Sequence, residues 1–238
     1  MRVLVSGSYA PPLSAEPHRV GKEVLYPVDR TDRPVGRALA VWSHAGGSGK
    51  STISRDLAYE MARRGYKVLL IDADPQANLT LWVGYDPVAV PQEGTLLRLV
   101  QEGTLPEPLP VSFGSGSPVL DLVPANTYLA LAEIAIPSKP SGMLLLRGQL
   151  RAYRERYDLI LMDSPPSLGA LAGLVALAGD GLVVPVETSA KGFQALKVAL
   201  DVSRDYHQTL VSLGFLEPGY PFVRLVVPTR YDPRTLQD

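Results

Sequence analysis

A glycine-rich segment, residues 44–52 with the sequence HAGGSGKST, is the feature that most constrains the fold. It follows an apolar run of strand length, Ala38–Ser43, and precedes a segment with apolar residues at helical spacing that stops at Gly65. A strand, a glycine-rich turn and a helix in this order bring together backbone N–H groups, the positive end of a helix dipole and the ammonium group of Lys50. We therefore expect this segment to bind a chain of phosphates.

The same segment departs at one position from the standard phosphate-loop pattern G-x-x-x-x-G-K-[ST], because His44 stands where the first glycine is required. A tight glycine-rich turn without a ligand is the alternative, but the strand–loop–helix context favours phosphate binding. The hydroxyl group of Ser51, directly after the lysine, is suited to bind Mg²⁺. The residues predicted to contact the phosphates are Ala45, Gly46, Gly47, Ser48, Gly49, Lys50, Ser51 and Thr52.

From Ala38 onwards, apolar runs of strand length alternate with amphipathic segments. This pattern predicts one α/β domain over residues 38–238, with a doubly wound, mainly parallel sheet and helices on both faces. Residues 1–37 contain scattered prolines and are expected to form an extension with one strand near Arg2–Val5. The further strands are predicted over Lys67–Ile71, Val119–Val123, Leu159–Met162, Gly181–Val186 and Phe222–Val227, and further helices over Thr95–Gln101, Gly142–Tyr157 and Lys191–Tyr206.

Three carboxylates follow predicted strands: Asp72 and Asp74 after one, and Asp163 after another. Ligands of parallel sheets collect outside the carboxyl ends of the strands, so these groups should lie beside the phosphate loop. There one carboxylate can hold Mg²⁺ and another can orient an attacking water. Taken singly, an aspartate after a strand is as often a helix cap or turn residue.

The cysteine content, the net charge and the lengths of the apolar runs exclude several classes of function. The chain has no cysteine, which excludes disulfides, thiolate metal sites and cysteine nucleophiles. Its net charge of −1 gives no general reason for binding nucleic acid or membrane, so any such contact needs a local patch. No apolar run reaches the roughly 18 residues of a membrane span, and we expect a cytoplasmic protein that does not bind membranes.

Four ordered blocks resemble the ParA family of deviant Walker ATPases, which position plasmids, chromosome origins and other cytoplasmic cargo. The blocks are GGSGKST at 46–52, DADPQAN at 72–78, DSPPSLG at 163–169 and PTRYDPRT at 228–235. The resemblance runs in order through most of the chain, so it is more specific than any single motif.

The resemblance implies an ATPase that uses Mg²⁺ and ATP, forms a homodimer on ATP and binds DNA non-specifically on the nucleoid. A cargo-bound partner of the ParB type would stimulate hydrolysis. By position, Lys50 would hold the β- and γ-phosphates, and Ser51 would hold Mg²⁺. Asp74 would order the hydrolytic water, Asp72 would assist at the metal, and Asp163 would be the Walker B carboxylate.

Two departures from the family pattern bear on this expectation. In the family, a signature lysine of the loop reaches the nucleotide of the partner subunit, and the corresponding residue here is Ala45. Lys191 lies where some cargo-positioning relatives carry a lysine that takes over this role. Alternatively, Lys191 is a solvated surface lysine. The family also continues past the PTRYDPRT block with another strand and a terminal helix, whereas this sequence stops at Asp238. We therefore expect base recognition to be absent or rebuilt.

Sequence-independent DNA contact needs only phosphate-facing cations, and two arginine groups are candidates. One is a stripe on a predicted helix, and the other is a late cluster; either is alternatively a solvated face. The stripe comprises Arg147, Arg151 and Arg154, and the late cluster comprises Arg224, Arg230 and Arg234.

A nucleotide-binding scaffold with weak or no hydrolysis is the main alternative function, because Ala45 removes the signature lysine. The three retained aspartates argue against it. Relatives that carry iron–sulfur clusters are excluded by the absence of cysteine, and a membrane-positioning relative of the MinD type would need a terminal amphipathic helix that the sequence does not show.

Overall fold

The computed structural model describes residues 36–112 and 119–230, together with the backbone of two short strands nearer the N-terminus. These are β1 (His18–Val20) and β2 (Glu23–Leu25), which pair antiparallel. The strand predicted near Arg2–Val5 and the candidate DNA contact Arg234 lie outside the described residues.

Seven strands form the central sheet in the order β5-β6-β4-β7-β3-β8-β9. Every neighbouring pair is parallel except β5 and β6, which run antiparallel. The strands are β3 (Arg37–Val41), β4 (Val68–Asp72), β5 (Leu109–Pro110), β6 (Leu120–Val123), β7 (Leu159–Asp163), β8 (Gly181–Glu187) and β9 (Val223–Thr229). The predicted mainly parallel sheet is therefore confirmed.

Alternating side chains along the central strands divide the interior into two cores. On β4, Val68 and Leu70 contribute to one core, whereas Leu69 and Ile71 contribute to the other. All five residues of this strand are buried, as expected for a parallel strand with both faces covered by helices.

Helices cover both faces of the sheet, as the alternating pattern predicts. The first two pack with the smaller core, and the other five pack with the larger one. They are α1 (Lys50–Arg63), α2 (Asn78–Trp82), α3 (Leu96–Glu102), α4 (Ala132–Ala135), α5 (Leu145–Tyr153), α6 (Ala170–Ala178) and α7 (Ala190–Ser212). Within the described parts of the chain, no helix has both the length and the apolar character that a membrane crossing requires.

The order of the strands places the start of the domain at the centre of the sheet. From β3 the chain builds outward through β4 and β6, returns to β7 beside β3, and then continues on the opposite side through β8 and β9. The winding direction reverses next to β3, whose carboxyl end leads directly into residues 44–52. Doubly wound sheets bind ligands at such a reversal, so the topology places the glycine-rich segment where a ligand site is expected.

Helix α6 was not predicted from the sequence, and its burial explains why. Eight of its residues, Leu171 to Ala178, are buried, so the helix has no polar face that would produce a 3.6-residue period. A short run of alanine, leucine, glycine and valine gives the same pattern in a buried strand or a buried helix.

The basic stripe predicted on the α5 helix is not a free surface. Arg147 donates to the backbone carbonyl oxygens at the C-terminal end of α6, at 3.1 Å from Leu177 and 3.1 Å from Gly179. Arg154 forms a two-pronged ion pair with Asp180, at 2.6 and 2.8 Å. The interpretation of this stripe as a DNA contact is therefore wrong for two of its three members, because their charges are used inside the fold.

Asp180 is the centre of this ion-pair network. Besides Arg154, it accepts a hydrogen bond from the backbone N–H of Ala38 at 3.0 Å and lies 3.5 Å from Arg147. We predict that Asp180→Ala lowers the free energy of unfolding by about 2 kcal/mol, because it leaves the Ala38 N–H and Nη2 of Arg154 without an acceptor and removes the carboxylate that both arginines face. Urea denaturation measures this effect.

Asp201→Ala is the matched control, because Asp201 pairs with Arg204 at 3.3 Å on an exposed part of α7. Exposed ion pairs contribute little, so this variant should unfold within about 0.5 kcal/mol of the wild type. Equal losses in the two variants would show that the Asp180 network does not stabilise the fold.

Candidate nucleotide-binding site

The segment between β3 and α1 forms a loop that only glycine accommodates at two positions. Gly47 and Gly49 have φ angles of 71° and 93°, in the left-handed region that favours glycine. The Ser48 hydroxyl donates to the carbonyl oxygen of Ala45 at 3.2 Å, which closes the loop on itself. The loop runs directly into α1, so its backbone N–H groups lie at the positive end of that helix.

Lys50 is the first residue of α1, and its side chain turns back over the loop. Its ammonium group donates a hydrogen bond to the carbonyl oxygen of Ala45 at 3.0 Å, and the residue is only 6% exposed. Burial lowers the pKa of Lys50, and the charges of Asp163 and Asp74 oppose this change. A phosphate group would give this buried cation the anionic partner that the carbonyl oxygen does not supply.

Asp163 ends β7 and is completely buried. Its Oδ1 accepts a hydrogen bond from the Ser54 hydroxyl at 3.0 Å, whereas its Oδ2 has no hydrogen-bond partner among the described residues. Burial and then the charge of Asp72 raise the pKa of Asp163 to about 8, while the hydroxyl groups of Ser51 and Ser54 and the charge of Lys50 lower it. A buried carboxylate oxygen without a partner is unfavourable unless a cation or donor approaches it.

The Oδ2 atom of Asp163, which has no hydrogen-bond partner among the described residues, is suited to bind Mg²⁺. Mg²⁺ binds oxygen ligands, commonly one or two protein groups together with phosphates and water. The Asp163 carboxylate and the Ser51 hydroxyl lie at the same end of the loop, so the residues present fit the ion.

Asp72 is also fully buried, but both of its oxygens already accept hydrogen bonds. Oδ1 accepts the N–H of Asp74 at 3.1 Å, and Oδ2 accepts the N–H and the hydroxyl of Thr80 at 2.9 and 2.7 Å. Burial raises its pKa to about 6. These contacts support a role in holding the start of α2 beside the loop, and a metal contact by Asp72 stays a prediction.

Asp74 and the phosphate loop line a common cleft of about 320 Å³. The Oδ1 of Asp74 accepts the backbone N–H of Gln76 at 2.9 Å. The lining residues are Gly47, Ser48, Gly49, Lys50, Ser51, Thr52, Asp74, Gln76, Asn78, Trp82, Pro166 and Arg230.

Several residues of this lining were not predicted. Gln76 and Asn78 belong to the same sequence block as Asp74, so their position after the strand was an available signal. Pro166 likewise belongs to the same sequence block as Asp163. Trp82 gave no such signal, because a tryptophan in a helix is usually a packing residue.

Lys191 does not line the cleft. It is exposed in the first turn of α7, two residues after the cap Ser189, whose hydroxyl accepts the N–H of Gly192 at 3.1 Å. Helix α7 follows β8, so Lys191 lies at the same edge of the sheet as the phosphate loop. The prediction of a contact across a dimer stays a prediction.

The late arginines do not form one cluster. Arg224 stands near the start of β9, where its guanidinium contacts the ring and hydroxyl of Tyr220. Arg230 follows the end of the same strand and lines the cleft. Six residues of extended strand separate the two by roughly 20 Å, so a DNA contact that needs both side by side is not supported.

These features define a class of protein before any comparison. A central parallel strand, a glycine-rich loop, a lysine over that loop and a buried acid at the end of a neighbouring strand form a P-loop nucleotide-binding site.

Comparisons with known proteins agree with this class. Residues 36–211 match a family model described as an AAA domain. The chain is 48% identical over 215 residues to a probable plasmid-partitioning protein ParA of Thermus thermophilus, covering 90% of this chain and 64% of that protein. The chain belongs to the family of ParA-type P-loop ATPases.

Two solved structures with bound nucleotide are similar in fold. An ATP complex of an McdA variant from Cyanothece is 28% identical with a TM-score of 0.67, and the match covers 81% of this chain and 69% of that one. Cobyrinic acid a,c-diamide synthase from Mycobacterium smegmatis, with bound ADP and magnesium, is 28% identical with a TM-score of 0.68, covering 84% and 76%. The chain thus shares the fold of proteins that bind ATP or ADP, one of them with magnesium.

The raised pKa of Asp163 gives a testable consequence for the unliganded protein. Because the folded chain holds this pKa at about 8, above the ordinary aspartate value of 3.8, the contribution of Asp163 to the free energy of unfolding is most favourable below about pH 4 and is lost as the pH rises through 8. We predict that Asp163→Asn is more stable than the wild type at pH 8.5, and that this advantage shrinks by more than about 1 kcal/mol at pH 5.

Urea denaturation at the two pH values, without nucleotide or Mg²⁺, measures this difference. Asp201→Asn is the control for the loss of an exposed carboxylate on the surface of α7. An advantage of Asp163→Asn that is the same at both pH values would contradict the burial of an unpartnered carboxylate.

Proposed function

We propose that the chain is a Mg²⁺-dependent ParA-type ATPase that couples ATP hydrolysis to the positioning of DNA or other cargo. One observation carries the proposal: the buried Oδ2 of Asp163 has no hydrogen-bond partner among the described residues, and Asp163 interacts with Lys50 and Ser51, which line the cleft. A packed core does not retain such a group without a reason, and a magnesium-bound nucleotide supplies one.

The residues of the cleft have separate roles in this proposal. Lys50 and the loop N–H groups hold the β- and γ-phosphates, while Ser51 and Asp163 hold Mg²⁺ directly or through water. When bound there, Mg²⁺ would neutralise charge that develops on the phosphates. Asp74, at 9% exposure, faces the cleft and orders the attacking water.

Asp72 has a supporting role. Its three hydrogen bonds fix the backbone at Asp74 and Thr80, so it keeps the cleft wall in place while Asp163 and Ser51 face the ion. Any direct assistance of Asp72 at the metal would have to use the one acceptor position left on Oδ1.

The switching behaviour is proposed from the family. In this proposal, ATP drives homodimerisation, the dimer binds DNA non-specifically on the nucleoid, and a ParB-like centromere-binding protein or cargo adaptor stimulates hydrolysis. The loop is of the deviant Walker A type with Ala45 in place of its signature lysine, and Lys191 supplies the missing charge across the dimer. The exposed position of Lys191 at the carboxyl edge of the sheet supports this role.

A nucleotide-binding scaffold without hydrolysis remains the second candidate, because Ala45 cannot supply the charge that the signature lysine would supply. The two candidates differ in phosphate release. A switch hydrolyses ATP slowly, and Asp74→Ala abolishes this hydrolysis; a scaffold shows no release that depends on Asp74.

Dimerisation is tested by size-exclusion chromatography with light scattering, with ATP and Mg²⁺ present. We predict that Asp74→Ala, which binds ATP without hydrolysing it, accumulates as a dimer. Adding Lys191→Ala to that variant should return it to a monomer, because the charge across the dimer is lost.

Lys197→Ala in the same Asp74→Ala background is the matched control, because Lys197 is an exposed lysine further along α7. This variant should remain dimeric. A dimer that survives loss of Lys191 would contradict its proposed role, and a protein that binds ATP but never dimerises would favour the scaffold.

A further inference from the structure

The end of β9 is held against the phosphate loop. The Thr229 hydroxyl donates to the carbonyl oxygen of Ser48 at 3.0 Å. On the other side, the Thr188 hydroxyl donates to the carbonyl oxygens of Thr229 and Arg230, each at 3.2 Å. The backbone at the end of this strand is therefore fixed between the loop and the end of β8.

This tether places Arg230 in a conformation that its residue type disfavours. Its φ angle is 54°, in the left-handed region, where L-residues other than glycine, asparagine and aspartate are uncommon. In this conformation the guanidinium lines the phosphate cleft, with Nη2 only 3.0 Å from where a Cβ on Gly47 would stand. Residues in such backbone regions are concentrated at ligand sites, where the surrounding structure maintains them.

The Arg230 guanidinium is only weakly held by other groups of the described chain. Within the described parts of the chain, its ion pair is with Glu187, at 3.9 Å, and the side chain is 62% exposed. The tether to the loop is made by Thr229, so Arg230 is not needed for that contact. Because its ion pair with Glu187 is long, the Arg230 guanidinium at the mouth of the cleft has N–H donors available to an anion.

The charge of the cleft gives the reason for a second cation. Lys50 is the buried cation of the loop, and Asp74 and Asp163 bring negative charge close to it. The family's signature lysine position is Ala45, so the loop itself lacks a second positive group. Arginine binds phosphate oxygens through two parallel hydrogen bonds, which suits it to this position.

We propose that Arg230 binds the phosphate chain of the nucleotide held by its own subunit, as the second cation of the cleft. The inference rests on the proposed function, since it assumes that the cleft holds a nucleoside triphosphate. It replaces the DNA contact predicted for this residue from the sequence. Glu187 pairs with the guanidinium when the cleft is empty, so an entering phosphate chain competes with Glu187 for it.

Calorimetric titration with the non-hydrolysable analogue AMPPNP and Mg²⁺ tests this proposal. Arg230→Asn removes the charge but retains a residue that tolerates positive φ, so the backbone should be preserved. We expect its Kd to rise about 5- to 10-fold, the size of one partly exposed charge-assisted contact. Arg204→Asn, which removes an exposed arginine on α7, should leave the Kd within about twofold of the wild type.

Glu187→Gln separates phosphate binding from a structural role. If Arg230 binds phosphate, freeing it from Glu187 lowers the Kd by about 2- to 3-fold. If the Arg230–Glu187 pair only shapes the loop, Glu187→Gln raises the Kd together with Arg230→Asn. The two roles thus predict opposite changes, and the Glu187 variant decides between them even if Arg230→Asn folds poorly.

Three outcomes overturn the proposal. The first is a wild-type protein that binds AMPPNP and an Arg230→Asn variant that binds it equally well, which leaves the proposed function intact. The second is weaker binding in Glu187→Gln. The third is a wild-type protein that does not bind AMPPNP, which overturns the proposed function as well.

Discussion

The structure depends on one unfavourable arrangement: Asp163 is buried at the end of a central strand with an oxygen that no described residue satisfies. Parallel pairing sets it directly beside Asp72 on the neighbouring strand, so two carboxylates share the interior. Lys50 and Ser54, both on α1, lie close enough to moderate this charge but do not neutralise it. The loop, the helix and the two strand ends surround a buried carboxyl group whose Oδ2 has no hydrogen-bond partner among the described residues.

Charged groups at the two edges of the sheet differ in how completely they are paired. At the amino edge, Asp180 is saturated by Arg154, Arg147 and a backbone N–H, and this network stabilises the fold. At the carboxyl edge, counting only the parts of the chain that the structure describes, Asp163 lacks a partner on one oxygen and the Arg230 guanidinium pairs with Glu187 alone, at 3.9 Å. Because buried polar groups are normally satisfied, the contrast identifies the carboxyl edge as the functional one.

The sequence predicted the parts of the fold that local pattern determines. Apolar runs identified the parallel strands, and the glycine-rich loop identified the cleft, because spacing and chemistry are both local. Helix α6 was not predicted, because it is buried on all sides and its sequence therefore lacks a 3.6-residue hydrophobic periodicity. The sequence could not show which arginines pair internally, because the acceptors of Arg147 and Arg154 lie on α6 and Asp180, far along the chain. A DNA contact by the late arginines stays a prediction, and of the two that are described it is Arg230, not Arg224, that lines the cleft.

The most direct test of the central claim is a calorimetric titration of ATP into the wild type and Lys50→Gln, each with Mg²⁺ and with EDTA. Lys50 is the cation over the loop, and its removal leaves the buried carboxylates without a nearby positive charge. The account predicts one ATP per chain for the wild type, weaker binding in EDTA, and at least a tenfold loss in Lys50→Gln, or about 1.4 kcal/mol. Equal binding by the two proteins, or binding unaffected by Mg²⁺, would contradict it.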